Sequence, residues 1–157
     1  QKMLDQLMSH PYISMPLPKS TGREMFGEQF TVDLLGRWAA VAPADIIATV
    51  TAFTAATIAE AYRRFVIPRY PIGRTILGGG GGHNSTLRRM IAERLPGVTV
   101  TTQDEIGLSS DAKEAIAFAI MGNETLHGYP SNVCSATGAS QPVILGNITP
   151  APTRAES

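Results

Sequence analysis

Five consecutive glycines, Gly78 to Gly82, stand between two stretches of different periodicity and constrain this chain more than any other feature. Thr75-Ile76-Leu77, β-branched and aliphatic, leads in. Leu87, Met90, Ile91 and Leu95 follow at three- and four-residue spacing, with Asn84 or Ser85 available as an N-cap. The order reads as strand, glycine turn, helix. Each ordered glycine costs about 0.5–1 kcal/mol relative to alanine, so the run implies that something approaches the backbone too closely for a Cβ. A helix N-terminus, with unpaired N–H groups and the positive end of the macrodipole, suits an anion such as phosphate. A flexible linker would continue in Ser or Gly, whereas this run stops abruptly between two regular elements.

Two familiar nucleotide motifs fail when counted. A phosphate loop ends in Gly-Lys-Ser/Thr, but Gly82 is followed by His83-Asn84. The dinucleotide pattern needs glycine at relative positions one, three and six. The sixth position is His83 counted from Gly78, and Asn84 counted from Gly79. Asp104 does follow the next expected strand, where a ribose-binding acid would sit. A nucleotide site of another kind remains open, and a dehydrogenase fragment is disfavoured.

The 157 residues fit one domain, and 43% hydrophobic against 17% charged residues is a globular balance. Zero formal net charge gives no electrostatic case for nucleic acid or an anionic membrane. The single cysteine, Cys134, excludes an internal disulfide and fits a reducing, cytoplasmic setting. The chain opens on Gln1, which reads as a piece of a longer protein.

Taken in order, residues 1–9 carry Met3, Leu4, Leu7 and Met8 on one helical stripe, and residues 10–23 read as loop. There, Lys19, Ser20 and Thr21 are either phosphate or sugar contacts or simply a turn before a helix capped near Glu24. Leu34, Leu35 and Trp38 mark a helix in 30–42. Pro43 starts another that runs to about Phe65, with Asp45 in its first turn. Ile46 to Ala59 carries no charge but includes Thr49, Thr51, Thr54 and Thr57. That stretch is shorter than the roughly 20 residues of a membrane span, so a buried core helix is expected. Residues 74–78 and 98–102 are expected strands, 84–95 a helix and 103–110 a loop. The nearly unbroken apolar stretch in 111–124 predicts a helix buried on most sides. Residues 127–142 read as loop and Val143-Ile144-Leu145 as a short strand. The final residues, 151–157, are expected to form a disordered tail.

Helices 43–65 and 111–124 need more sheet to cover them than two or three short strands supply. Residues 1–150 are therefore expected to be the C-terminal part of a larger α/β protein.

Several motifs carry a family likeness: ILGGGGGHN with the following Leu87, TQDEIGLSSDAKEAIAFA, and YPSNVCSATGASQPVILGNITP. Together with PLPKSTGREMF and DIIATVTAFTAATIAEA, they resemble anhydro-N-acetylmuramic acid kinases over nearly the whole chain. That family belongs to the sugar kinase, heat-shock chaperone and actin superfamily, and its members have two ribonuclease-H-like domains flanking a nucleotide cleft. The resemblance implies a helix-rich α/β segment from the C-terminal actin-like ATPase domain. The family's N-terminal phosphate loop and its catalytic aspartate have no counterpart here.

Members of the family use ATP and water to open the anhydro ring of 1,6-anhydro-N-acetylmuramic acid and phosphorylate its 6-hydroxyl. The aspartate activates the water that attacks the anomeric carbon. The resemblance implies that Gly79, Gly80, Gly81, Gly82 and Asn84 line the nucleotide and that Glu114 holds the sugar. Glu114 also fits a capping box with Asp111, three residues before it. Mg²⁺ is implied only as the companion of ATP. The implied partners are the sugar, ATP and the missing N-terminal half of the same protein, with a homodimer left open and neither nucleic acid nor membrane. Asp104 and Glu105 either reach the metal or sugar or form a solvated loop. The alternatives are an actin-like nucleotide-binding module without kinase activity, or a kinase of the same fold acting on another sugar.

Overall fold

The computed structural model describes residues 1–151, which fall into two compact units divided between Ile106 and Gly107. In the first unit, α1 (Lys2–Met8) is followed by three short-to-medium helices, α2 (Pro11–Ser14), α3 (Arg23–Phe26) and α4 (Glu28–Arg37). The long α5 (Pro43–Ala61) has Pro43 in its first turn and ends in a π-helical turn, Tyr62–Val66. Then come β1 (Arg74–Leu77), α6 (Ser85–Arg94) and β2 (Thr99–Thr102). The two strands pair in parallel, with Arg74 opposite Thr99 and Leu77 opposite Thr102. A parallel pair requires a crossover, and α6 supplies it.

Helix α5 organises the first unit by serving two cores. Ile46 and Phe53 join Met3, Leu7 and Leu34, with Phe26, Phe30 and Trp38 packed around them. Ala55 and Ala59 join Ile91, Leu95 and Val100 under the strand–helix–strand unit. Both alanines are fully buried, one turn apart, and their small side chains let α6 lie close against α5. The threonines of α5 satisfy themselves locally: Thr49, Thr51 and Thr54 donate to carbonyls four residues back. By length and composition alone, Pro43–Val66 contains an 18-residue window apolar enough to cross a membrane, with a mean hydropathy of 1.3, a test that the core helix of a soluble protein also passes. The expectation of a buried core helix holds for one face only. Ile46, Phe53, Ala55 and Ala59 are buried, but Ile47 is 68% exposed.

The second unit holds α7 (Lys113–Leu126) and the single turn α8 (Cys134–Thr137), which lies within the expected 127–142 loop. Asn132 organises the loop around α8. Its amide donates to the Gln141 carbonyl at 3.2 Å, and its Oδ1 accepts from the Val143 N–H at 2.7 Å. The turn closes on Gly138, in the left-handed conformation at φ +75°.

Two expectations for this unit fail. No residue of α7 is buried, and Phe118 and Leu126 are each 71% exposed. A single helical turn and coil are too little to cover a helix that is apolar on most sides. Val143-Ile144-Leu145 forms no strand: its backbone is held by Asn132 and by the Thr125 hydroxyl, which donates to the Leu145 carbonyl. The expected disordered tail lies, apart from Ala151, outside the described residues.

Candidate functional site

Strand β1 carries the chain to the glycine run, and the parallel ladder extends one step further, where the Gln103 N–H donates to the Leu77 carbonyl at 2.9 Å. Gly80–His83 forms a 3₁₀ turn closed by Gly82 N–H to Gly79 O, 2.9 Å, and Asn84 N–H to Gly81 O, 3.2 Å. Asn84 then caps α6, its Oδ1 accepting from the Leu87 N–H at 3.0 Å, as the sequence predicts.

The five glycines are glycines for different reasons. Gly79 has φ +75° and ψ −175°, a region that is essentially glycine-only. Gly82 is buried, and a Cβ on it would lie 3.4 Å from the Leu77 carbonyl oxygen. A Cβ on Gly78 would run into the Gln103 carboxamide. Gly80 and Gly81 are exposed. A Cβ on Gly80 would meet nothing within 4 Å, and one on Gly81 only Leu87, at 3.8 Å. Gly78 and Gly82 thus lie against Gln103 and the Leu77 carbonyl, whereas among the described residues nothing crowds Gly80 and only Leu87 lies near Gly81.

At the end of β2, a short 3₁₀ turn, Asp104–Ile106, faces the same end of the sheet. In open α/β sheets, ligands bind in the crevice outside the carboxyl ends of the strands. Glu105 is not a free acid there. Its carboxylate accepts from the Thr101 hydroxyl, from both guanidinium nitrogens of Arg88 and from the Thr102 N–H at 3.1 Å. The Thr101 hydroxyl, then Arg88 and the Thr102 N–H, hold its pKa down to about 2. Its oxygens are thus engaged within the fold. Sequence reasoning missed Arg88. Its signal was a cation in the first turn of a helix, at the wrong end of the macrodipole and so in need of an acid.

Lys19 is likewise committed to the fold, donating to the carbonyls of Tyr12 and Ile13 at 3.1 and 3.2 Å beside the Tyr12 ring. Glu114 belongs to the second unit, exposed in the first turn of α7. The expected capping box with Asp111 does not form. The N-cap is Ala112, with no side-chain cap bond, and the Ala112 N–H donates to Ser109 Oγ at 3.2 Å. The structure therefore gathers Gly79, Gly80, Gly81, Gly82 and Asn84 in one turn and leaves Glu114 without the capping role.

The bare face of Gly80 and Gly81 suits a flat or anionic group laid against the backbone. Among the described residues, no group of three His, Cys, Asp or Glu side chains could hold a metal ion.

The family model for anhydro-N-acetylmuramic acid kinase matches residues 1–151. The chain belongs to the anhydro-N-acetylmuramic acid kinase family. The anhydro-N-acetylmuramic acid kinase of Clostridioides difficile (strain 630) is 54% identical over 152 residues, covering 97% of this chain and 40% of that protein. An enzyme of the same name from Bacillus cereus is 53% identical over 150 residues, covering 94% of this chain and 39% of its own length. The chain thus spans about 40% of the length of the curated kinases it matches.

Proposed function

We propose that this chain is the C-terminal, nucleotide-side part of a kinase that uses ATP and water to open 1,6-anhydro-N-acetylmuramic acid and phosphorylate its 6-hydroxyl. The observation that carries the reading is the glycine turn at the carboxyl end of β1, bare at Gly80 and Gly81, in a chain that matches the kinase family from residue 1 to 151. In this reading the backbone of Gly79 to Gly82 and the amide of Asn84 line the nucleotide, and Mg²⁺ enters bound to its phosphates. Positioning and electrostatics are most of what a protein contributes to phosphoryl transfer, and a rigid backbone turn supplies the first.

Glu114 accepts hydroxyls of the sugar and fixes the ring's orientation. Its exposure and its absence from the cap support that role, since neither packing nor capping claims the carboxylate. The base that activates water and the phosphate loop lie in the part of the kinase that this chain does not span. The exposed apolar helix α7 is covered by that part, which completes the ribonuclease-H-like domain. The setting is cytoplasmic, where ATP is available.

Calorimetry on the full-length kinase with ATP and with the anhydro sugar tests the reading. Both should bind. Affinity for ATP without affinity for the sugar would mean an actin-like nucleotide module or a kinase for a different sugar. The chain by itself should turn over neither, and measurable phosphorylation of the sugar by residues 1–157 would overturn the division of labour. Glu114→Gln in the full-length kinase should weaken sugar binding; unchanged sugar affinity would remove Glu114 from the site.

A further inference from the structure

The cluster around Glu105 has no part in the chemistry argued above, yet it is built at the carboxyl end of the same two strands as the glycine turn. Arg88 Nη1 lies 2.5 Å from Glu105 Oε1, and Nη2 lies 3.1 Å from Oε2. Thr101 Oγ1 and the Thr102 N–H also donate to Oε2, while the Glu105 N–H donates to Thr102 Oγ1 at 3.2 Å. Arg88 sits in the first turn of α6, its N–H bonded to the carbonyl of Asn84, where the glycine turn ends. Thr101 and Thr102 are buried in β2. Glu105 thereby ties the helix after the glycines to the strand beside them. Gln103 adds a backbone link between the strand ends, its N–H donating to the Leu77 carbonyl at 2.9 Å, while its carboxamide occupies the space that a Cβ on Gly78 would take.

We infer that Glu105 and Arg88 are positioning residues for the nucleotide: the pair fixes the separation between the glycine turn and the loop after β2. The inference rests on the nucleotide reading of the glycine turn. A bidentate guanidinium–carboxylate pair holds its two elements in one geometry, which a single point contact does not. Here the elements held are the start of α6, just after the glycine turn, and the end of β2. The Glu105 carboxylate also offsets the Arg88 cation beside the positive end of α6.

The test is a double-mutant cycle in the full-length kinase with Glu105→Gln, Arg88→Met and the pair together. ATP dissociation constants are read by calorimetry, and KM and kcat are measured for each substrate. Each single change should weaken ATP about tenfold, the scale of a hydrogen bond to a charged group. The double variant should be little weaker than either single one. The KM for the sugar and kcat at saturating ATP should stay unchanged.

A parallel loss of sugar and ATP affinity would reduce the pair to a general brace of the fold and overturn the inference. ATP affinity that is unchanged, or tighter because Arg88 is released onto phosphate, would overturn it as well. If the unaltered kinase fails to bind ATP, the nucleotide reading itself falls, a result visible before any variant is made.

Discussion

The carbonyl oxygen of Leu77 lies 3.4 Å from where a Cβ on Gly82 would stand, so the end of β1 and the last glycine are packed against each other. Gly80, two residues earlier, has nothing within 4 Å of the same construction. Gly80→Val should therefore keep the fold and obstruct a ligand lying on the turn. The expected result is a melting temperature within about 2 °C of the parent, since exposed changes usually stay within about 0.5 kcal/mol, together with lost ATP binding in the full-length kinase. Unaltered ATP affinity would count against the site.

Gly79→Ala and Gly82→Val should fail differently. The first forces a side chain into a region that costs on the order of 1–3 kcal/mol. The second overpacks a buried position, typically costing about 1–3 kcal/mol. Denaturant unfolding should register both as stability losses, which Gly80→Val should not show.

Acid sensitivity follows from Glu105. Its folded pKa lies at about 2 against an ordinary 4.5, so the folded state favours the ionised form. The resulting stabilisation is complete above the ordinary value and is lost as pH falls from about 4.5 towards 2. Unfolding midpoints measured across that window should fall less steeply in Glu105→Gln than in the parent. Identical slopes would show that the carboxylate is not held as the structure has it.

Ile91 and Leu95 are the large side chains most completely buried, at 0% and 1% exposure. Ile91→Ala should cost about 2–5 kcal/mol, because the α5–α6 contact is braced by small alanines that cannot move in to fill the void. A loss under about 1 kcal/mol in urea unfolding would mean that the second core is looser than described.

Phe118 should behave in opposite ways in two contexts. In the chain of residues 1–157 it is 71% exposed, and Phe118→Ala should change stability by no more than about 0.5 kcal/mol. In the full-length kinase, where α7 is expected to be covered, the same change should cost about 3–5 kcal/mol. Equal effects would sink the proposal that the remaining chain packs on this helix.

Much of this was legible without coordinates. The strand, the glycine turn and helix α6 follow from periodicity, and a cap at Asn84 or Ser85 from residue type, because each pattern closes within a few residues of chain; the structure chose Asn84. The extent of α5 follows from Pro43 and an uncharged, threonine-bearing run whose hydroxyls bond back along the same helix. The family likeness was carried by several motifs in order, and the match over residues 1–151 upholds it.

What the sequence could not determine lies in contacts that cross the chain. Arg88 and Glu105 are 17 residues apart, and only the parallel pairing of β1 with β2 brings α6 over the end of the second strand. Which glycines answer to their own neighbours and which stand bare depends on where Leu77 and Gln103 come to rest. The apolar character of α7 was plain in its residues, but burial is a property of what packs against a helix. Val143 to Leu145 has strand-forming side chains, yet with Asn132 and Thr125 taking its backbone groups and no strand beside it, composition alone could not make it one.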